Sequence, residues 1–328
     1  MLRLPPHRYH RPDTVSQAVT LLAEHGPAAM PIAGGTDLIP NMKHRLFEPE
    51  HLVALGGIEA MKGIREEGGA LVIGALETLT AVSRHPLVMR HAPSLAAAAA
   101  HVAGPQLRNM GTLGGNLCLD TRCTYYNQTF FWRKALGYCL KKDGTVCHVT
   151  KVGARCVAAH SADTPPVLMT LEAEVVLEGP DGRRILPVEE FFVADGIRNT
   201  RREPHELVVE LRIPTGVEGR RAAYAKLRQR NAIDFPLLTV AVAGEMEEDG
   251  SVRDIRGVVT ALGARPKVLT GWREIAVGQR LTEEVMAALA ERAHKQCHPL
   301  ENIPVDPEWR RAMVPVYVRR ALRRMRTA

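Results

Sequence analysis

Two glycine-rich stretches in the N-terminal half of the chain are the most informative feature of its sequence. The first, IAGGTDL, occupies residues 32–38, and the second, RNMGTLGGN, occupies residues 108–116. Glycine has no Cβ, so paired glycines let consecutive backbone N–H groups converge and let the chain approach a ligand closely. Each stretch also carries a threonine hydroxyl. This pattern is typical of phosphate-binding loops, and two such loops suit the two phosphates of one dinucleotide.

Neither stretch has the G-x-G-x-x-G spacing of a Rossmann turn that opens a helix. The sequence therefore argues against a Rossmann fold. A glycine pair after a strand also occurs in ordinary tight turns, so that alternative stays open for each loop taken alone. Strand and helix patterns alternate through the first two thirds of the chain, and from residue 220 onward antiparallel strand patterns are followed by two helices.

The composition indicates an ordinary globular protein. The 328 residues are 45% hydrophobic and 24% charged, enough for a sizeable core. The longest apolar run, residues 95–103, is interrupted by His101 and is too short to cross a bilayer, and no apolar leader opens the chain. We therefore expect a cytoplasmic protein with no membrane segment, in which clustered cysteines are more often metal ligands than disulfides.

Four spaced cysteines follow the second glycine stretch and suit a metal cluster. They form a C-x15-C-x7-C-x8-C pattern, with a fifth, Cys118, just ahead. The four are Cys123, Cys139, Cys147 and Cys156. Zinc sites usually pair their ligands at C-x2–4-C, and only Cys118 and Cys123 come near that spacing. Iron–sulfur is therefore the leading interpretation, while zinc and no metal stay open.

Three further residues, two histidines and one cysteine, are weaker candidates for metal ligands. His148 and His160 are candidate ligands, although a lone histidine beside a cysteine is more often structural. Cys297, beside His298, is expected to be an ordinary packed or surface thiol.

The cysteine segment is also basic and aromatic. Residues 121–160 hold seven basic side chains and one acid, a net charge of +6 out of +7 for the whole chain, together with six of its fifteen aromatic residues. Cations and a dry aromatic shell stabilise an anionic cluster and set its potential, so the segment is interpreted as an insertion with its own small core. A merely solvated face is the alternative for any single residue. A zinc-stabilised nucleic-acid-binding protein is the alternative of another class, but no nucleic-acid module is recognisable, and no such partner is expected.

The two glycine stretches, SADTPP at residues 161–166 and KLRQRNAIDFP at residues 226–236 together resemble the FAD-binding subunits of the molybdenum hydroxylase (xanthine oxidase) family. The resemblance covers essentially the whole chain. It implies an α+β fold: two α/β FAD-binding subdomains of the vanillyl-alcohol-oxidase (PCMH) type with an Fe–S insertion, then a C-terminal domain of antiparallel sheet and helices. The implied bounds are 1–57 and 58–219 for the subdomains, 118–157 for the insertion and 220–328 for the C-terminal domain.

The same resemblance implies the cofactor and its contacts. FAD would be held by Ile32, Ala33, Gly34, Gly35, Thr36, Asp37, Leu38, Gly111, Thr112, Gly114, Gly115, Asn116, Asp163 and Lys226. No residue of this chain is assigned a catalytic role.

Most members of the family run almost directly from the second glycine loop to the aspartate that matches Asp163. The intervening segment here resembles the insertion of the β subunits of 4-hydroxybenzoyl-CoA reductases, on LCLDTRCTYYNQ at residues 117–128 and FWRKALGYC at residues 131–139. That resemblance implies a [4Fe–4S] cluster on Cys123, Cys139, Cys147 and Cys156. Cys118 would be a bystander.

The function implied is that of an electron-transfer flavoprotein subunit in a molybdenum-dependent oxidoreductase that dehydroxylates 4-hydroxybenzoyl-CoA. Electrons from a ferredoxin-like, low-potential donor would pass through [4Fe–4S] and FAD to [2Fe–2S] clusters on a partner subunit. The molybdenum cofactor would lie on another subunit, and this chain would not turn over substrate alone. The alternative is the FAD subunit of a xanthine- or aldehyde-type hydroxylase that delivers electrons to NAD or a quinone.

Overall fold

Three β-sheets with packed helices organise the chain in the computed structural model, which describes residues 2–151 and 153–327. The N-terminal elements are β1 (Arg8–His10), α1 (Val15–His25), β2 (Ala29–Ile32), α2 (Leu38–Lys43) and β3 (His51–Ala54), with a 3-10 turn at Gly26–Ala28. The strands are parallel in the order β1-β3-β2. Thr14 caps α1 by accepting a hydrogen bond from the Gln17 N–H. The first glycine loop leaves the carboxyl end of β2.

The second sheet is antiparallel and carries most of the short helices. Its elements are β4 (Ile64–Glu67), β5 (Ala70–Gly74), α3 (Leu79–Arg84), α4 (Pro86–His91), α5 (Pro93–His101), α6 (Pro105–Arg108), α7 (Leu113–Leu117), α8 (Phe130–Leu136), α9 (Pro165–Thr170), β6 (Glu174–Gly179), β7 (Gly182–Pro187), α10 (Val188–Phe191) and β8 (Leu207–Pro214), with a 3-10 turn at Glu59–Met61. The strand order is β4-β5-β8-β6-β7. The second glycine stretch begins at the end of α6 and continues into α7, which contains Gly114 and Gly115.

The C-terminal part is a four-stranded antiparallel sheet under two long helices. It contains β9 (Arg220–Leu227), β10 (Leu238–Met246), β11 (Val252–Thr260), β12 (Lys267–Val268), α11 (Arg273–Ala276), α12 (Glu283–Gln296) and α13 (Pro307–Arg326), and the strand order is β12-β11-β10-β9. Thr282 and Asp306 cap α12 and α13 through their side-chain oxygens. Cys297 is buried in the core between this sheet and its helices.

The structure confirms a mixed α and β architecture with a C-terminal antiparallel sheet. The domain bounds at 57/58 and 219/220 stay predictions. No helix among residues 2–151 and 153–327 has the length and apolar character that crossing a membrane requires.

Candidate functional site

A cavity of about 430 Å³ lies where the two glycine loops meet. All but one of the residues predicted to hold the cofactor line this cavity. They are Ile32, Ala33, Gly34, Gly35, Thr36, Asp37, Leu38, Gly111, Thr112, Gly114, Gly115, Asn116 and Asp163. The exception is Lys226, which lies behind the wall. The structure thus brings together segments that are up to about 130 residues apart in the sequence.

The first loop offers free donors to this cavity. The N–H groups of Gly34, Gly35 and Thr36 have no acceptor within the described parts of the chain. Gly35 has a φ of +69°, a conformation that favours glycine. An N–H without a partner away from water costs free energy, so adjacent free donors on a cavity wall favour a ligand rich in acceptor oxygens. A phosphate group has that character.

The second loop is built differently, because its amides are bound within the chain. The N–H groups of Gly111, Gly114 and Gly115 donate to Leu107 O, Ala75 O and Thr112 Oγ1. The two loops are therefore not equivalent cradles. The second supplies close packing and the hydroxyl of Thr112, while the first supplies free backbone donors.

Glycine is needed at several of these positions for contact with protein rather than with a ligand. A Cβ on Gly34 would lie 1.8 Å from the Met110 carbonyl oxygen, and a Cβ on Gly114 would lie 2.7 Å from the Ala75 Cβ. Gly115 differs, because its Cβ would meet only Thr112 Oγ1, at 3.0 Å. Of these three glycines, Gly115 is thus the one whose absent side chain leaves room in the cavity.

A buried ion pair supports the far wall of the cavity. Lys226 Nζ lies 3.0 Å from Asp163 Oδ2, and the Tyr224 hydroxyl donates to Asp163 Oδ1 at 2.5 Å. Burial raises the pKa of the Asp163 carboxyl and lowers the pKa of the Lys226 ammonium, and their attraction opposes both shifts. Lys226 therefore orients Asp163, a role that the sequence alone did not distinguish from direct contact with the cofactor.

Five charged residues line the pocket that the sequence did not indicate as site residues: Asp120, Arg122, Arg202, Glu206 and Asp234. Arg122 Nη1 lies 3.0 Å from Asp37 Oδ1, and its guanidinium carbon lies 3.9 Å from the centre of the Phe235 ring. Asp120 also lines the cavity. Burial raises the pKa of the Asp37 carboxyl, and Arg122 counteracts that rise. The nearest sequence signal was the concentration of cations after the second loop, which does not predict contact across 85 residues.

The four spaced cysteines converge on a second, smaller cavity beside the first. Cys123, Cys139, Cys147 and Cys156 all line it, each is less than a tenth exposed, and none is in a disulfide. Cys118 lines the larger cavity instead. Of the two histidine candidates, His148 lines the cysteine cavity but its Nε2–H donates to the Tyr138 carbonyl at 2.6 Å, while His160 does not line it.

The spacing of the sulfurs distinguishes between kinds of metal site. Four thiolates around one zinc ion at about 2.3 Å would lie about 3.8 Å from one another. Within the described chain, no three of these sulfurs fall within 4.8 Å of one another. A polynuclear cluster places several atoms between its ligands and needs wider spacing. Within the described residues, the four sulfurs are therefore not gathered around a single point as the ligands of one zinc ion are.

Lys141 joins the two cavities. Its Nζ is 2.6 Å from Asp120 Oδ1 and from Thr121 Oγ1, and it lies 4.7 Å from the centre of the Tyr126 ring. The side chain is 5% exposed and lines the cysteine cavity, whereas its partner Asp120 lines the larger one. A buried positive charge therefore lies between the two candidate cofactor sites.

The cysteine segment is closed at its base by a two-residue bridge. Arg122 and Ala159 exchange both backbone hydrogen bonds, at 2.8 and 2.7 Å. The segment between these two residues is thus closed off from the rest of the chain at its base, while the bounds of 118–157 for an insertion stay a prediction. Leu119, Asp120 and Arg122 belong to the wall of the larger cavity.

Two family models match nearly the whole chain. The model described as the FAD binding domain in molybdopterin dehydrogenase matches residues 5–216, and the CO dehydrogenase flavoprotein C-terminal domain matches residues 222–325.

Individual proteins agree with these models. The carbon monoxide dehydrogenase medium chain of Hydrogenophaga pseudoflava is 34% identical over 321 residues, 97% of each chain. The aldehyde oxidoreductase FAD-binding subunit of Escherichia coli K12 is 34% identical over 260 residues, 76% of this chain and 80% of that one. Among solved structures, carbon monoxide dehydrogenase from H. pseudoflava, in a form lacking the Mo-pyranopterin moiety, matches with a TM-score of 0.82 and 31% identity over 98% of each chain.

Proposed function

The chain belongs to the FAD-binding subunits of the molybdopterin dehydrogenase family, and from this premise we propose that it is an electron-transfer flavoprotein subunit that also holds a [4Fe–4S] cluster. Its relatives are subunits of dehydrogenases and oxidoreductases. A molybdenum-cofactor subunit and a [2Fe–2S] subunit are the proposed partners. The unpaired thiols suit a reducing compartment, so the cytoplasm is the proposed location.

FAD is the proposed occupant of the larger cavity. The free N–H groups of Gly34, Gly35 and Thr36 would bind phosphate oxygens, and Thr112 adds a hydroxyl beside them. Asp163, fixed by Lys226 and Tyr224, supplies an oriented acceptor on the opposite wall. When bound, the flavin supplies transfer of one or two electrons, and the chain's part is to bind it, orient it and exclude water.

Cys123, Cys139, Cys147 and Cys156 are the proposed ligands of the cluster. The observation that carries this proposal is that the four line one small, buried cavity next to the flavin site. Such a cluster supplies one-electron transfer. Lys141 and the other cations of the segment would compensate its negative charge.

For the whole complex, we propose reductive dehydroxylation of 4-hydroxybenzoyl-CoA, with electrons entering from a ferredoxin-like donor. The cysteine insertion supports this reading, because an extra cluster suits low-potential input. The basic surface of the insertion, with Phe131 and Trp132 exposed, suits an acidic donor protein.

The second candidate is an aldehyde- or xanthine-type oxidoreductase that passes electrons to NAD or a quinone. The 34% identity to an aldehyde oxidoreductase FAD-binding subunit and the 25% identity over 316 residues to a putative xanthine dehydrogenase FAD-binding subunit favour it. This candidate leaves the cluster and flavin assignments unchanged.

The test is anaerobic purification of the native complex, followed by flavin, iron and sulfide analysis of this subunit. We expect one FAD and four irons per chain. Reduction of 4-hydroxybenzoyl-CoA with a low-potential donor, compared with oxidation of aldehydes and xanthine, separates the two candidates. A chain with FAD but no iron would contradict the cluster, and zinc without iron would do so equally.

A further inference from the structure

Three histidines from three elements meet at the N-terminal sheet, outside both cavities. His10 ends β1, His25 ends α1 and His51 begins β3. One ring nitrogen from each lies within 4.8 Å of the other two. Within residues 2–151 and 153–327, no other three His, Cys, Asp or Glu side chains bring their ligand atoms this close. Neither the flavin pocket nor the cysteine cavity uses these residues.

The sheet register explains why they meet. β1 and β3 are parallel, with Arg8 opposite His51 and His10 opposite Val53. Side chains alternate faces along a strand, so His10 lies on the same face as His51, one diagonal step away. The α1 helix packs against this sheet and ends at His25, just before β2 begins opposite His51.

The three rings are close but not locked. His10 Nε2 and His51 Nδ1 are 2.8 Å apart, and the rings of His25 and His51 stack with centroids 3.7 Å apart. Around a tetrahedral zinc ion at about 2.0–2.1 Å, ligand nitrogens lie about 3.3 Å from one another. All three side chains are half-buried. To bind one ion, the rings would turn so that one nitrogen of each points at it, and the ion would replace the hydrogen bond between His10 and His51.

We propose that His10, His25 and His51 form a binding site for one divalent transition-metal ion of the zinc class, with the remaining coordination position open to water. Neutral imidazole is a preferred ligand of such ions. The carboxyl end of α1 also places a negative helix terminus at the site, which favours a cation. The ion would join β1, α1 and β3 and so stabilise the sheet from which the first glycine loop emerges.

The test uses the full chain loaded with its own cofactors, treated with a chelator and then titrated with Zn²⁺ by calorimetry. We expect one ion per chain and a higher thermal midpoint with Zn²⁺ than with chelator. His51→Ala and His25→Ala should each weaken binding by more than the roughly 10- to 100-fold that loss of an outer-shell partner costs. His7→Ala, a half-buried histidine three residues from His10, is the matched control and should bind like the wild type.

Co²⁺ supplies a second readout that separates histidine from cysteine ligation. At a three-nitrogen site we expect visible ligand-field bands without the charge-transfer absorption that thiolate ligation produces. Loss of these bands in His25→Ala, with an unchanged circular dichroism spectrum, would support the site even if His51→Ala fails to fold. Equal Zn²⁺ binding by wild type and a folded His25→Ala chain would overturn the proposal, as would thiolate charge transfer from the added ion. Absence of Zn²⁺ binding to the wild type would mean that the cluster is only a hydrogen-bonded stack.

Discussion

The flavin pocket and the cysteine cavity lie side by side and are built in opposite ways. The pocket is walled by backbone and glycine from several distant segments, with Gly34 packed against the Met110 carbonyl. The cysteine cavity is lined by side chains from one segment, closed at its base by the bridge between Arg122 and Ala159. Binding by backbone makes a site inseparable from the fold, whereas binding by side chains on a closed insertion makes it removable. Changes in the two regions should therefore have separable consequences.

The largest effect is expected from Gly34→Val, because this position joins the two loops. A Cβ there would lie 1.8 Å from a carbonyl oxygen, so one loop must move. We expect destabilisation above about 3 kcal/mol, beyond the usual range for overpacking, together with loss of bound flavin. Urea unfolding and flavin absorbance measure both. Gly26→Val is the control for backbone strain alone. Gly26 has a φ of +50°, but a Cβ added there would meet no atom within 4 Å. Wild-type flavin content in a stable Gly34→Val chain would show that the loops do not need this contact.

Deleting residues 124–157 and joining 123 to 158 through a two-glycine linker should remove the cluster but leave the flavin. The bridge between Arg122 and Ala159 already holds the two ends together, and Asp120 and Arg122 stay in the pocket wall. Stability should fall moderately, because the buried Arg133 no longer donates to the carbonyls of His44 and Arg45. Solubility, flavin content and iron content are the measurements. A chain that fails to fold would show that the insertion belongs to the core after all.

Single cysteine substitutions should separate iron content from flavin content one residue at a time. Cys123→Ala, Cys139→Ala, Cys147→Ala and Cys156→Ala should each lower iron content and leave flavin largely bound, because thiolates hold the cluster and the loops hold FAD. Cys118→Ala and Cys297→Ala should keep full iron, since neither residue lines the cysteine cavity. Iron and sulfide analysis decides. Full iron in any of the first four, or loss of iron in Cys118→Ala alone, contradicts this ligand set.

The same contrast explains what the sequence was able to predict. Glycine loops, strand–helix alternation and cysteine spacing are local patterns, and they indicated the two loops and the four cysteines that the structure brings together. The remaining pocket residues, such as Asp163, were implied only by the family resemblance. Strand β8 (Leu207–Pro214) was missed, although it lies in the middle of the second sheet. Residues 209–213 alternate apolar and charged side chains, but so short a run between Val208 and Pro214 does not by itself locate a strand, and only the structure shows that Glu210 pairs with Arg212 and with Arg65.

Contacts between segments that are far apart in the chain were the second feature that the sequence did not predict. The ion pair of Arg122 with Asp37 and the position of Lys141 between two cavities depend on how separate segments fold back on one another. The difference between the two loops could not be predicted for a similar reason. Free and bound amides look identical in a sequence, and only the structure distinguishes the open donors of Gly34 and Gly35 from the bound amides of Gly114 and Gly115.

Gly115→Val is the direct test of cofactor approach in the pocket. Its Cβ would meet only the Thr112 hydroxyl, so the fold should tolerate the change while the valine side chain occupies the cavity. We expect flavin affinity to fall by about 1–3 kcal/mol, the range that overpacking costs, with iron content unchanged. Equilibrium dialysis of flavin against wild type and Gly115→Ala gives the comparison, since alanine adds only the Cβ. Full flavin affinity in a folded Gly115→Val chain would count strongly against phosphate binding at this loop.

The smallest effect, and the one that tests communication between the regions, is expected from Lys141→Met. The ammonium is buried between Asp120 on the flavin side and the cysteines on the other, so removing it withdraws positive charge from the cluster without removing a ligand. A nearby cation favours the reduced, more negative cluster, and its loss should lower the reduction potential by tens of millivolts. Spectroelectrochemical titration measures this shift, while iron and flavin contents stay at wild-type levels.

Lys134→Met removes the same charge from an exposed position of the same segment, where solvent screens it, and should leave the potential almost unchanged. Equal shifts in the two variants would mean that only the net charge of the insertion matters. A larger shift in Lys141→Met would identify this buried lysine as the electrostatic link between two sites that are otherwise built independently.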